Sequence, residues 1–235
     1  MTSDEIRAHL ERIVASRENV KSAGGTWPAK RDLAAALRGL LAEISATAAN
    51  EAEIRAIAAQ VRDAARMFQA AGHAQLDLAP RDGMYAGMEN FHDRGPIVGL
   101  ANPMAAPLDL RLDLEANVVH GRATYGAAHE GAPGLLHGGI LAAAFDELLG
   151  YATSFSGHPG MTRELTVRYE RPTPLHVELV FTGRLERSEG RRLFLSADCE
   201  ANGVRTSTAH GLFIQVGGEK FAELARSKKP PGTLA

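Results

Sequence analysis

From Gly134 to Gly150 the chain reads GLLHGGILAAAFDELLG, a glycine-containing turn followed by residues that are apolar in almost every position. The apolar run predicts a helix from Ile140 to about Thr153. A helix that is apolar on nearly all of its faces is normally buried. We therefore expect this helix to form the centre of a domain, with other elements packed around it.

Two adjacent carboxylates, Asp146 and Glu147, interrupt this apolar helix. Neighbouring side chains on a helix diverge by about 100°. If one carboxylate faces a wet edge, the other is directed towards the core. A carboxylate in apolar surroundings is costly unless it has a partner or a chemical task. The pair therefore contains a candidate functional group.

The turn at His137, Gly138 and Gly139 supplies a second candidate feature. The first N–H groups of a helix lack intrahelical acceptors, and the helix dipole makes this end positive. Such a terminus can stabilise a carbonyl oxygen that gains negative charge. Asp146 follows Gly138 by eight residues, a rise of about 12 Å along a helix. If both groups act at one site, that site must combine two copies of the chain.

The segment from His137 to Gly150 resembles the central-helix motif of hotdog-fold acyl-CoA thioesterases, most closely in the phenylacetate-pathway (PaaI-like) branch. The downstream segment from Met161 to Leu175 is similar to the next strand of that group. The resemblance covers roughly residues 102–216. It implies an α+β hotdog fold, in which an antiparallel sheet wraps around a long central helix, here with a helical N-terminal extension.

The same resemblance implies roles for individual residues. Asp146 matches the catalytic carboxylate, which acts either as nucleophile or as general base on water. Gly138 matches the residue whose N–H polarises the thioester carbonyl, and His137 is expected to shape the turn. Thr162 matches a hydroxyl that holds the carboxylate or the water. A structural role remains the alternative for each of them, such as an ion pair for Asp146 or a strand position for Thr162.

One position departs from the family pattern. Many relatives carry an Asn six residues before the motif histidine, and this chain has Gly131 there. His129 or Glu130, beside it, is hypothesised to substitute for the missing amide, and both are counted in the predicted substrate-binding set.

Gly139 of the turn, together with Arg168 and Arg171, completes the predicted substrate-binding set, because the phosphates of coenzyme A need cations near the pocket mouth. Solvated surface charges are the alternative interpretation of the arginines. Neither a phosphate-binding glycine loop nor a metal-ligand spacing is visible in the sequence. We expect no cofactor beyond the coenzyme A of the substrate.

The pattern of apolar, polar and turn-forming residues divides the chain into four parts. We predict a helical extension over 1–75, an irregular linker or covering loop over 76–107, the hotdog domain over 108–218 and a short tail over 219–235. In the extension, Asn50 and Glu53 form a predicted capping box. In the domain, the hairpin signal Asn202-Gly203 separates the last two strands.

Composition excludes several classes of protein. The net charge of −2 gives no reason to expect a nucleic-acid partner. Cys199 is the single cysteine, so the chain has no internal disulfide. We find neither a signal-peptide pattern nor an apolar run long enough for a membrane span. These features predict a cytoplasmic location.

The favoured function is hydrolysis of an acyl- or aryl-CoA thioester, in lipid metabolism, by a homodimer or homotetramer with shared sites. The alternative from another class is a non-catalytic acyl-CoA sensor or accessory hotdog protein, because some lipid-synthesis repressors join helices to a hotdog domain. The near-neutral helical extension and the presence of Asp146 favour the enzyme.

Overall fold

The computed structural model describes residues 5–8, 10–11, 25–44, 46–72 and 89–217. Residues 5–8 and 10–11 are helical. The predicted tail, residues 76–88 of the predicted linker and most of residues 1–24 of the predicted helical extension lie outside these ranges. The helices are α1 (Trp27–Ile44), α2 (Glu51–Ala71), α3 (Glu89–Arg94) and α4 (Gly138–Ala152), and the strands are β1 (Asp109–Asp113), β2 (Val118–Thr124), β3 (Gly160–Tyr169), β4 (Glu178–Glu189), β5 (Arg192–Ala201) and β6 (Val204–Gln215).

The six strands form one antiparallel sheet in the order β1-β2-β4-β5-β6-β3. Alternating apolar and polar residues are typical of strands that bury one face, and α4 packs against β2, β3, β4, β5 and β6. The turn at Asn202 and Gly203 has φ of 51° and 73°, the left-handed pair that a tight hairpin requires. The predicted hairpin between β5 and β6 is therefore confirmed.

Helix α4 crosses one face of the sheet and supplies the centre of the core. Phe145 is fully buried, and its ring meets that of Phe181 edge to face with centroids 5.6 Å apart. Gly183 of β4 allows Leu148 to approach closely, since a Cβ at Gly183 would lie 3.0 Å from the leucine side chain. A sheet wrapped around one apolar helix is the predicted α+β architecture, and it is confirmed.

Helix α1 is attached to the segment that precedes the sheet. The guanidinium of Arg31 forms an ion pair with Asp93 at 2.6 Å, and Asp93 is only 1% exposed. Arg38 donates to the carbonyl oxygens of Leu100 and Asn102 at 3.2 and 3.0 Å. These contacts fix α1 against the domain.

Helix α2 begins at the predicted capping box, in which Asn50 and Glu53 exchange hydrogen bonds. It has no buried residue, so its apolar stripe stays open to solvent within the described part of one chain. None of the described helices has the length and apolar character needed to cross a membrane. The boundaries between the four predicted parts of the chain remain predictions.

Strand β3 lies at one edge of the sheet and contains an irregularity. Its pairing with β6 shifts between Thr162 and Glu164, so Arg163 is an extra residue on this strand. Side chains along a strand point to alternate faces. The extra residue therefore reverses the alternation and places Thr162 and Tyr169 on the same face. That face carries the two contacts from β3 to α4 described next.

Candidate active site

The helix turn at His137 is held by both its side chain and its backbone. His137 caps α4, and its Nδ1 accepts the N–H of Gly139 at 3.0 Å. Its carbonyl oxygen accepts the N–H groups of Ile140 and Leu141 at 2.9 and 3.2 Å. Because Nδ1 accepts a hydrogen bond, the proton of a neutral ring is on Nε2. This geometry is consistent with the turn-shaping role predicted for His137.

The N–H of Gly138 lies at the start of α4 and has no acceptor among the residues that the structure describes. It belongs to the same peptide as the His137 carbonyl, which accepts two hydrogen bonds. Donors to a peptide carbonyl polarise the N–H at the other end. The Gly138 N–H is therefore an oriented donor at the positive end of a helix, as an oxyanion requires.

Asp146 is brought together with Thr162, as the family resemblance implied. The Thr162 hydroxyl donates to the Asp146 carboxylate, Oγ1 to Oδ1, at 2.7 Å. One predicted detail is wrong, however, because neither carboxylate is driven into the core. Asp146 and Glu147 are both half-buried. The reason is that α4 has sheet on one side only, so a broad strip of its surface stays accessible in a single chain.

Small residues flank the candidate carboxylate on the accessible strip of α4. Ala143 and Gly150 are half-buried and flank Asp146 at helical spacing. Gly138 lies about 12 Å away along the same helix. One chain thus presents the carboxylate and the free N–H on one helix, too far apart to reach the same atom.

The loop before α4 explains the departure at Gly131. A Cβ at this position would lie 2.8 Å from the Cα of His137, so the loop has no room for an Asn side chain. Glu130 accepts the N–H of Gly134 at 2.6 Å, and the His129 carbonyl accepts the N–H of His137 at 2.9 Å. Both residues therefore shape the loop around the turn.

The two predicted phosphate-binding arginines occupy different surroundings. Arg171 follows β3 and donates to the carbonyl oxygen of Arg205 at 2.7 Å. Arg168 is exposed and, by the alternation along β3, lies on the face opposite to Tyr169. The single chain does not bring Arg168 beside the turn, and its role in binding remains a prediction.

Tyr169 is a site contact that sequence analysis missed. Its hydroxyl donates to the Gly138 carbonyl oxygen at 2.8 Å, although the side chain is 54% exposed. Sequence analysis missed this contact because it did not identify the extra residue in β3. With a regular strand, a residue seven positions after Thr162 would point to the other face.

The cysteine is not a candidate nucleophile. Cys199 is fully buried in the sheet, and burial raises the pKa of its thiol to about 12. At neutral pH the thiolate, which is the nucleophilic form, is almost absent. The described residues contain no group of three or more His, Cys, Asp or Glu side chains placed to hold a metal ion.

Sequence comparison shows that part of the chain is similar to known thioesterases. Residues 133–207 match the sequence model of the thioesterase superfamily. The chain is 42% identical to acyl-coenzyme A thioesterase THEM4 of Bos taurus over 93 residues, or 39% of this chain and 38% of that protein. It is 29% identical to acyl-coenzyme A thioesterase THEM5 of Homo sapiens over 93 residues, again 39% of this chain and 38% of the relative. The chain thus spans about two fifths of these curated relatives.

A crystal structure of a thioesterase superfamily protein superposes with a TM-score of 0.69 at 28% identity. The match covers 79% of this chain and 90% of that one. The sheet and its central helix therefore form a hotdog fold. Residues 133–207, which match the sequence model of the thioesterase superfamily, contain Gly138, Asp146 and Thr162.

Proposed function

We propose that the protein is an acyl-CoA thioesterase that hydrolyses an acyl- or aryl-CoA to the free acid and coenzyme A. The observation that carries this proposal is the Asp146 carboxylate, held by Thr162 on the open side of α4. The unbonded N–H of Gly138 supports it, since a carboxylate can activate water or attack the thioester, and an oxyanion donor stabilises the tetrahedral intermediate. The names of the THEM4 and THEM5 relatives support the same substrate class.

We further propose that two copies of the chain form each site. The accessible strip of α4 and the edge strand β3 are the surfaces on which a second copy would pack. In such an assembly Gly138 of one copy can face Asp146 of the other, which removes the separation of about 12 Å along one helix. A dimer satisfies this requirement, and so does a tetramer built from two dimers.

In the proposed reaction, the thioester carbonyl oxygen accepts the Gly138 N–H. Asp146 then either attacks the carbonyl carbon itself or removes a proton from the attacking water. The carbon becomes tetrahedral, and its oxygen gains the negative charge that the helix terminus stabilises. Collapse of this intermediate breaks the C–S bond and expels the coenzyme A thiolate. In the general-base route this step yields the acid directly, and the proton held by Asp146 passes to the thiolate or to water. In the nucleophilic route water then hydrolyses the acyl–Asp146 anhydride, which releases the acid and restores the carboxylate. Thr162 keeps the carboxylate oriented through these steps.

The test is release of free thiol from a panel of short, medium, long and aryl acyl-CoAs. We expect the wild type to turn over at least one of them. Asp146→Asn should lose more than about 100-fold, on the order of 3 kcal/mol of barrier. Glu147→Gln is the matched control, because it neutralises the adjacent carboxylate, and it should remain active.

Two results would change the assigned catalytic residue or the assigned function. Unchanged turnover in Asp146→Asn would remove this carboxylate from the site and direct attention to Glu147 or Glu130. Tight binding of acyl-CoA without turnover of any substrate would favour the sensor alternative, with the helical extension as its output. The PaaI-like branch, a part in lipid metabolism and the cytoplasmic location remain predictions from sequence.

A further inference from the structure

The peptide that joins Gly138 to Gly139 is fixed at both of its ends. Its N–H donates to Nδ1 of His137 at 3.0 Å, and its carbonyl oxygen accepts the Tyr169 hydroxyl at 2.8 Å. This peptide is the direct neighbour of the one that presents the Gly138 N–H. Movement of the Gly138 Cα, which the two peptides share, would stretch the Tyr169 bond, the His137 bond or both.

Contact of the Tyr169 ring with Gly138 adds to this restraint. A Cβ at Gly138 would lie 3.2 Å from both Cζ and the hydroxyl oxygen of the tyrosine. The ring therefore packs directly against the Cα of the glycine. Because Tyr169 is more than half exposed, burial alone does not account for its placement over the turn.

Strand β3 connects this contact to the carboxylate. Thr162 near its beginning bonds to Asp146, and Tyr169 at its end bonds to Gly138. The extra residue Arg163 brings both side chains onto the face that meets α4. Strand β3 therefore restrains both the Gly138 peptide and the Asp146 carboxylate of α4 in the same chain.

We propose that Tyr169 is a positioning residue that aims the Gly138 N–H at the developing oxyanion. This inference rests on the proposed function and extends it. The hydroxyl does not touch the substrate. It acts by holding the Gly138–Gly139 peptide, so that the helix terminus is already oriented when the carbonyl oxygen gains charge.

Tyr169→Phe is the test, because it removes the hydroxyl and keeps the ring against Gly138. With wild-type enzyme that hydrolyses an acyl-CoA, we expect kcat to fall about 10-fold, less than the loss caused by removing an oxyanion donor. KM and the melting temperature should change little. A loss confined to kcat is the mark of an interaction needed in the transition state.

Tyr151→Phe is the matched control. It makes the same chemical change where the hydroxyl bonds to Nδ1 of His92 at 2.6 Å, away from the turn. We expect this variant to keep the wild-type kcat. If Tyr169→Phe also keeps it, or loses only thermal stability, the positioning role is overturned.

Amide hydrogen exchange of Gly139 gives a readout that does not depend on activity. Loss of the Tyr169 hydroxyl should loosen the peptide and speed this exchange by several-fold, whereas Tyr151→Phe should leave it unchanged. Unchanged exchange in Tyr169→Phe contradicts the proposal. A wild type without thioesterase activity would refute the proposed function, and the exchange experiment would still decide the role of Tyr169.

Discussion

Replacement of Gly138 by proline should remove the proposed oxyanion donor while leaving α4 intact. Gly138 is the first residue of the helix, where a missing N–H breaks no intrahelical bond and the fixed φ of proline suits the chain. The preceding residue, His137, has φ of −62° and ψ of 128°. That extended conformation is the one preferred before proline.

The expected loss follows from the chemistry of the donor. Removing one oxyanion donor costs about 10²–10³ in kcat, or roughly 2.7–4 kcal/mol. The proline ring also brings a Cβ within 3.2 Å of the Tyr169 ring, which has to shift. Gly138→Ala isolates this second effect, because alanine adds the Cβ and keeps the N–H.

The assay is release of free coenzyme A thiol at saturating acyl-CoA, beside thermal unfolding of each variant. Gly138→Ala should lose no more than about 10-fold in kcat, and Gly138→Pro about 100-fold or more. Both should fold with similar melting temperatures. Proline and alanine variants of equal activity would refute the assignment of the Gly138 N–H to the oxyanion.

Three further results are expected. Thr162→Val should lower kcat about 10-fold, since a hydrogen bond to a charged group is worth about 1.5 kcal/mol at a solvent-accessible site. Thr162→Ser keeps the hydroxyl and should retain activity. Equal kcat values for the valine and serine variants would show that the contact with Asp146 is incidental. Arg31→Met should lower the free energy of unfolding, measured by denaturant titration, by about 3 kcal/mol, because it leaves Asp93 buried and unpaired. Adding Asp93→Asn to this variant should recover part of the loss. Cys199 should react with thiol reagents at pH 8 only after unfolding. Because burial raises the pKa of this thiol from 9.0 to about 12, the unfolded chain loses the thiol proton at a lower pH than the folded chain. The free energy of unfolding should therefore fall as pH rises from about 9 to about 12, by at most about 1.4 kcal/mol per pH unit. Cys199→Ala should show a shallower fall.

Much of the sheet and its helix is predictable because the signals are local. Three signals reflect the conformational preferences of neighbouring residues: the alternation along β1, the Asn202-Gly203 turn and the apolar run after Gly139. The pairing of Asp146 with Thr162 came from a resemblance, and the structure places their side chains 2.7 Å apart. The helix and the hairpin turn therefore required no knowledge of distant contacts, whereas the Asp146–Thr162 contact required the resemblance.

Features that depend on distant packing were not predictable. The half-buried state of both Asp146 and Glu147 follows from sheet on only one side of α4, which helix periodicity does not reveal. Tyr169 reaches Gly138 only because the extra residue Arg163 reverses the strand alternation. The sequence offered one sign of this, since Leu165, Val167 and Tyr169 alternate out of step with Thr162.

Mixing two inactive variants tests the central claim most directly, because the claim requires Gly138 of one copy and Asp146 of the other. Asp146→Asn and Gly138→Pro chains, refolded together in equal amounts, should form mixed dimers in which one of the two sites is intact. Random pairing predicts recovery of about one quarter of wild-type thioesterase activity from chains that are each inactive alone. A mixture that forms mixed dimers yet stays as inactive as its components would contradict a site shared between two copies.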